Sequence, residues 1–142
     1  NGDNMKILIK PFEEKELEQV KALIMECFPT IGIPNIKYQE EEKHFTLVVQ
    51  TENKIIGHVR IDEIYDNIRD RSHYLLDYMC IKKEYQNHGI GSKLLEHVTK
   101  IAKEKKISYL ELTSRKERHN AHQFYLKNDF QIRETYVFRK EI

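Results

Sequence analysis

The chain has few cysteines, almost no net charge and no long apolar run, so it lacks the features that redox, nucleic-acid-binding and membrane proteins usually show. It has two cysteines, Cys27 and Cys80, without C-x-x-C spacing, so the sequence predicts no cysteine redox or zinc site. Both are expected to be reduced core residues of a cytoplasmic protein. The 24 basic side chains balance 23 acidic ones, and this near-neutral charge predicts no nucleic-acid or membrane partner. No apolar run approaches the roughly 18 residues of a membrane span.

The spacing typical of metal ligands is missing as well. Seven histidines are present, but their spacing gives no H-x-x-x-H pair and no His/Cys cluster beyond the loose pair His119 and His122. We therefore predict no metal site.

What is present is the patterning of one domain. We expect residues 1–4 to be a tag remnant and residues 5–142 to form one domain with its own core. The order of apolar runs predicts an α+β (mixed α/β) domain rather than a βαβ repeat. The predicted strands are Met5–Lys10, Phe45–Gln50, Lys54–Ile64 with a bulge at Gly57, His73–Ile81, Ser108–Thr113, and one or two after Asp129. The predicted helices are Glu13–Phe28, a long one from the glycines 89 and 91 to Lys106, and Asn120–Lys127. Thr30–Lys43 is read as a loop or short helix.

The most informative stretch is Gln86-Asn87-His88-Gly89-Ile90-Gly91-Ser92, where a strand-like run gives way to an amphipathic helix. The first backbone N–H groups of a helix lack internal partners and attract anions. Glycine lets a phosphate approach the main chain closely. The third glycine of a dinucleotide fingerprint and the Gly-Lys of a P-loop are missing. The pattern therefore predicts a phosphate seat of another kind, or a simple strand-to-helix turn.

Two segments carry a family resemblance. Ile81–Gly91 resembles the acetyl-CoA motif of the GNAT acetyltransferases, which is Gln or Arg, two residues, Gly, one residue, Gly or Ala. Ala121–Phe130 (AHQFYLKNDF) resembles that family's Ala-x-x-(Leu/Phe)-Tyr-x-x-x-Gly-Phe segment. Arg118 stands where many members have Asn, and Asp129 stands where they have Gly. Asp129 is expected to keep left-handed backbone geometry.

The resemblance implies a GNAT-type fold and ligand. The fold is a mostly antiparallel twisted sheet of six to seven strands, with a splayed strand pair and about four flanking helices. Acetyl-CoA is implied as the cosubstrate, with its pantetheine arm between the splayed strands. The implied donor-binding residues are the main chain of Met79, Cys80 and Ile81, the amides of Gln86 to Ser92, and Arg118, which could reach a phosphate.

Acetyl transfer to an amine needs a base and an acid. The amine must lose a proton before it attacks. Asp77 is the candidate base, expected on the same strand face as Met79 and Ile81. Glu63 and a chain of water molecules are the alternatives. The resemblance makes Tyr125 the acid that protonates the leaving thiolate. Direct attack by the amine needs no acyl-enzyme, so Cys80 is not required as a nucleophile.

The predicted function is transfer of the acetyl group of acetyl-CoA to a primary amine of a small molecule. A narrower resemblance points to enzymes that acetylate small amines, including aminoalkylphosphonates. It rests on Thr113-Ser114, Arg118, Ala121-His122, Phe124-Tyr125 and the closing Tyr136, Phe138 and Lys140. The alternatives are acetylation of a protein N-terminus or lysine, and a sensor module that binds acyl-CoA without catalysis. A homodimer is a further expectation, because a terminal strand near Tyr136–Lys140 could pair with a partner chain.

Overall fold

A computed structural model describes residues 5–142 of the chain. The chain divides into two compact units, Asn1–Leu112 and Thr113–Ile142. The first unit contains β1 (Leu8–Pro11), α1 (Leu17–Cys27), β2 (His44–Thr51), β3 (Lys54–Asp66), β4 (Arg71–Ile81), α2 (Ile90–Glu104) and β5 (Leu110–Glu111). The second unit contains α3 (His119–Lys127). Short 3-10 turns lie at Glu14–Glu16, Pro29–Ile31 and Lys83–Tyr85. The expected tag remnant, residues 1–4, lies outside the described residues.

The five strands form one sheet in the order β1-β2-β3-β4-β5. Neighbours from β1 to β4 are antiparallel, and β5 is parallel to β4. This mixed α+β architecture with a mostly antiparallel sheet agrees with the sequence. The numbers of elements do not, because residues 5–142 contain five strands and three α-helices rather than six to seven strands and about four helices.

The missing strands fall after Asp129. Residues 131–142 form no strand and are exposed, including Tyr136, Val137 and Phe138. Alternating residues define two faces, but a strand also needs a neighbouring strand to complete its hydrogen bonds. The second unit offers α3 and no strand. The terminal strand expected near Tyr136–Lys140 is therefore absent from this structure.

Segment 30–43 forms no α-helix either, apart from the turn that ends at Ile31. Gly32 has a φ of +77°, which a right-handed helix cannot contain, and Pro34 follows two residues later.

The β2–β3 hairpin contains the predicted bulge one residue early. Val49 pairs with Gly57, whereas Gln50 pairs with Ile55, so Ile56 is the extra residue. Gly57 itself is required by packing. A Cβ at this position would approach Val49 Cγ2 to 2.8 Å and Ile81 Cδ1 to 2.9 Å.

A second bulge interrupts β4. His58 pairs with Cys80 but Arg60 pairs with Asp77, so two steps along β3 match three along β4. Tyr78, inside this interval, has a φ of +50°, which is uncommon for a residue with a side chain. The inserted residue reverses the alternation of β4, because every side chain beyond it moves to the other face.

The two faces of the sheet are covered by different helices. Val48 and Cys80 form a buried cluster with Val20, Leu23 and Ile24 of α1. Leu47, Val49, Val59, Ile61 and Leu76 lie on the opposite face and are also buried, and α2 packs against β4. The buried stripe of α2 consists of Ile90, Leu94, Leu95, Val98 and Ala102.

Candidate active site

The free edge of β4 is the first part of the site. β4 pairs with β5 only at Tyr74 and Leu75, and within the first unit the rest of β4 pairs with β3 alone among the described residues. The expected divergence of these two strands thus begins after Leu75. Main-chain groups on this side of residues 76–81 are available to an extended ligand, except the Ile81 carbonyl, which accepts from Gln86 Nε2.

The bulge decides which main-chain groups face this edge. The Tyr74 amide donates to Tyr109 O at 3.0 Å, whereas the Lys82 amide donates to Ile56 O at 2.7 Å. Main-chain groups alternate between the two sides of a strand, and the bulge adds one residue between these positions. Met79 and Ile81 therefore direct their main-chain groups to the free edge, and Cys80 directs its own to β3. This corrects the expectation that all three pair with the ligand.

The glycine loop begins α2 as the sequence predicts. Gly89 is the N-cap residue, with a φ of +76°, and its position has open space for a Cβ, so the backbone angle and not packing favours glycine. Asn87 also has a positive φ, +67°. The N–H groups of Ile90, Gly91 and Ser92 lie in the first turn, where no intrahelical acceptor exists.

The electrostatics of this helix terminus suit an anion. The first turn of α2 contains no acidic residue, and the aligned peptide dipoles place partial positive charge there. Gln86 Nε2 donates to Ile81 O at 2.9 Å, which connects the loop to the end of β4. The free edge and the helix N-terminus are thus consecutive parts of one continuous main chain.

Helix α1 fixes the start of this loop through Glu26. Its carboxylate accepts from Lys82 Nζ at 2.6 Å and from the Lys83 amide at 2.9 Å. The hydrogen bond from Lys82 is the main reason why the pKa of Glu26 is lowered. The next residue, Cys27, contacts Ile81 O through Sγ at 3.6 Å. No local sequence pattern indicates these contacts, because Glu26 and Lys82 lie 56 residues apart.

Asp77 lies on a different face from the one we expected. It pairs with Arg60, and Cys80 pairs with His58, so Asp77 shares the α1 face with Cys80. Met79 and Ile81 lie on the α2 face. The alternation rule gave the wrong face because the bulge at Tyr78 shifts the register.

The environment of Asp77 favours its neutral form. Burial, followed by the negative charge of Asp62, raises the pKa of this half-buried carboxyl, and Arg60 opposes the shift. Arg60 is engaged elsewhere, with Glu40 Oε2 at 2.9 Å and Asp62 Oδ1 at 3.3 Å. No described residue forms a hydrogen bond or an ion pair with the Asp77 carboxylate. A carboxyl of raised pKa without a partner has the properties of a general base.

Glu63, the rival base, lies on the other face of the sheet. It pairs with Tyr74, a residue of the α2 face, and its carboxylate is 3.9 Å from Lys43 Nζ. The two candidate bases therefore cannot serve the same side of the sheet.

The second unit holds the two remaining candidates on one helix. Arg118 is the N-cap residue of α3 and Tyr125 lies two turns later. The Tyr125 ring packs edge-on against Phe124 and Phe130, with centroids 5.3 and 5.5 Å away. Asp129 has a φ of +69°, which confirms its predicted left-handed geometry. Residues Glu117–Ala121 line a shallow concavity of about 360 Å³.

The described residues contain neither a metal-binding cluster nor a membrane-spanning helix. Residues 5–142 contain no group of three or more His, Cys, Asp or Glu side chains that could hold a metal ion. None of the helices described above is both long and apolar enough to cross a membrane.

Comparisons with known proteins concern the family and the fold. The sequence model of the acetyltransferase (GNAT) family matches residues 7–130. No curated protein matches the chain.

Many solved structures share the fold. One is an aminoglycoside acetyltransferase from an uncultured soil metagenomic sample, in complex with trehalose, with a TM-score of 0.77, 18% identity, and coverage of 96% of this chain and 95% of that one. Another structure of an enzyme with that name is in complex with sisomicin. The ribosomal-protein-alanine N-acetyltransferase from Brucella melitensis biovar Abortus 2308 gives a TM-score of 0.80 at 14% identity, covering 96% of this chain and 100% of that one. A transcriptional regulator from Bacillus halodurans C-125 gives 0.83 at 17% identity, with the same coverage.

Proposed function

Since this chain belongs to the acetyltransferase (GNAT) family, whose members use acetyl-CoA as cosubstrate, we propose that it transfers the acetyl group directly to a primary amine of a small molecule. The reaction proceeds in a ternary complex without an acyl-enzyme. The observation that carries this proposal is the unpartnered, half-buried Asp77 carboxyl of raised pKa, which lies one residue before the bulge of β4.

The donor is held by main-chain groups. The free edge offers the amide and carbonyl of Met79 and the amide of Ile81 to the amide groups of the pantetheine arm, as a neighbouring strand would. The pyrophosphate takes the amides of the loop from Gln86 to Ser92, where the N-terminus of α2 favours negative charge. Arg118, beside the concavity of the second unit, is proposed as a further phosphate contact.

The chemistry requires three proton transfers. Asp77 accepts the proton of the incoming ammonium, and the neutral nitrogen then attacks the thioester carbonyl. A carbon–nitrogen bond forms and the carbon–sulfur bond breaks. Tyr125 gives its phenolic proton to the departing thiolate, a feasible step because phenol and thiol pKa values lie near 10 and 8.5 respectively. The attacking nitrogen then still carries one proton too many, and transfer of that proton to the Tyr125 phenolate gives the neutral amide and restores the phenol. An outward main-chain amide of β4 can stabilise the oxyanion, a contribution of about 3 kcal/mol where such donors are preorganised.

The acceptor side favours a small molecule. Segment 30–43 folds back onto the face that carries Asp77. Its Glu40 accepts from the Thr46 amide at 2.6 Å and pairs with Arg60, and Tyr38 donates to Phe12 O at 3.0 Å. We expect a segment that is fixed beside Asp77 to close the acceptor pocket. A closed pocket suits a small amine, whereas a peptide needs an open groove. The similar fold of an aminoglycoside acetyltransferase is in keeping with this choice.

The remaining alternatives are separated by one assay. Purified protein is incubated with acetyl-CoA and either aminoglycosides, aminoalkylphosphonates, peptides with N-terminal alanine, or no amine, and free CoA thiol is measured. The proposal expects thiol release that depends on a small amine. Release only with peptides would support a protein acetyltransferase, and acetyl-CoA binding without release would support a sensor. We propose a cytoplasmic enzyme, because a reducing compartment keeps cysteines such as Cys27 and Cys80 as thiols.

A further inference from the structure

His58 belongs to β3, and its buried imidazole contacts the bulge of β4. The residue is 7% exposed, and its Nδ1 lies 2.8 Å from Tyr78 O. A carbonyl oxygen can only accept, so Nδ1 carries the proton and donates it. Burial lowers the pKa of His58 to about 4, which keeps the ring neutral at physiological pH. The ring therefore acts as a fixed, uncharged donor.

The carbonyl that receives this hydrogen bond belongs to the strained residue of the bulge. Tyr78 has a φ of +50°, a conformation that costs about 1 kcal/mol or more for a residue with a side chain. Such geometry persists only where surrounding contacts hold it. His58 pairs directly with Cys80, so it contacts the bulge from the neighbouring strand and can stabilise it there. Phe28, whose ring meets that of Tyr78 at 5.3 Å in an edge-on contact, supports the same residue from the end of α1.

We propose that His58 is a positioning residue for donor binding: by donating Nδ1–H to Tyr78 O, it holds the β4 bulge that directs the main chain of Met79 and Ile81 to the free strand edge. This inference rests on the proposed function, because that edge is where acetyl-CoA is proposed to bind. Without the hydrogen bond, β4 can relax toward regular alternation, which would turn these main-chain groups back toward β3.

The test compares two substitutions of different chemistry. His58→Leu removes the donor and keeps an apolar side chain of moderate size. His58→Asn retains an N–H donor near the position of Nδ1. We expect His58→Leu to raise the KM for acetyl-CoA about 10-fold, the loss of one useful hydrogen bond, and His58→Asn to raise it less than 3-fold. His97→Leu, the same exchange on α2, is the control and should leave KM unchanged.

KM separates positioning from general damage. A variant that only loses folded protein has fewer active molecules, so its apparent kcat falls while its KM stays constant. An unchanged KM in folded His58→Leu would overturn the proposal. Equal increases in His58→Leu and His58→Asn would overturn it too, because the donor would then not be the cause.

A second comparison introduces His58→Leu together with Tyr78→Gly. Glycine adopts positive φ without strain, so the bulge should need His58 less, and the effect of His58→Leu on KM should shrink. An effect of undiminished size would contradict the role of the strained residue.

Two further measurements keep the proposal testable if His58→Leu does not fold or if the wild-type protein does not bind acetyl-CoA. Nitrogen-15 spectra of the wild-type imidazole should show the Nδ1–H tautomer, and the Tyr78 and Met79 amide shifts should be preserved in His58→Asn. The Nε2–H tautomer, or displaced amide shifts in His58→Asn, would overturn the role of His58. Absence of acetyl-CoA binding with both signatures intact would instead refute the proposed function alone.

Discussion

Lowering the pH from 8 to 5 should destabilise this protein by about 2 kcal/mol through one side chain, His58. Burial is the main cause of its low pKa; the hydrogen bond to Tyr78 O opposes the shift, and the positive charge of Arg60 adds to it. The pKa is about 4 in the folded protein against 6.5 for an ordinary histidine. In the unfolded chain the same imidazole takes up a proton as the pH falls through 6.5, which favours unfolding.

The sign and size follow from this difference. The contribution of the neutral His58 ring to the free energy of unfolding is fully present above pH 6.5. It is lost progressively as the pH falls toward 4. At pH 5 the unfolded imidazole is almost fully protonated while the folded one is mostly neutral. The linkage relation gives about 2 kcal/mol at pH 5, and about 3 kcal/mol below both pKa values.

The measurement is urea unfolding followed by far-UV circular dichroism at a series of pH values between 8 and 5. His58→Asn removes the titrating ring, so the pH dependence of its free energy of unfolding should be shallower than that of wild type by about 2 kcal/mol over this range. His119→Asn, which removes an exposed imidazole, is the matched control. Parallel curves for wild type and His58→Asn, differing by less than about 0.5 kcal/mol at pH 5, would refute the reasoning.

Four other predictions concern the candidate site and its scaffold. Tyr125→Phe should lower turnover about 100-fold while acetyl-CoA affinity changes little, as measured by steady-state kinetics and calorimetry; unchanged turnover at saturating substrates would remove Tyr125 from the mechanism. Asp77→Asn should lower kcat/KM for the amine at least 100-fold, and the acidic limb of the wild-type profile should lie above the ordinary aspartate pKa of about 3.9, whereas an unaltered profile in Asp77→Asn would point to another base. Gly89→Ala should weaken acetyl-CoA binding and cost about 1 kcal/mol in urea unfolding, because its φ of +76° is strained for alanine; wild-type affinity would contradict the loop's role. Gly57→Ala should cost about 1–3 kcal/mol because its Cβ meets Val49 and Ile81, and wild-type stability would show that the sheet gives way there.

The local features of the fold were largely predictable. The bounds of α2 follow from its apolar stripe and the preceding glycines, and Asp129 takes the expected left-handed geometry. The hairpin between β2 and β3 was predicted with a bulge one residue from its actual place. Each of these depends on residues within a few positions of one another, where backbone geometry and side-chain periodicity determine the outcome.

The arrangement around Asp77 was predicted less well, for an identifiable reason. Period-2 alternation assumes an unbroken strand, and one inserted residue at Tyr78 moved Asp77 to the face opposite Met79 and Ile81. The residue types around Tyr78 do not predict a bulge, since tyrosine is common in regular strands. Strands after Asp129 were overpredicted for the related reason that hydrogen-bond partners lie outside the segment itself.

By itself, the sequence determined the family resemblance, the glycine loop at the start of α2, and the separate candidates Asp77 and Tyr125, because each of these was indicated by a pattern within a short segment of the chain. Only the tertiary structure decided which main-chain groups face the free edge of β4. It also decided that Glu26 binds the start of the loop and that His58 donates a hydrogen bond to the bulge. Those contacts join residues 20 to 57 positions apart. Such contacts depend on how strands and helices are brought together, and no local pattern encodes that.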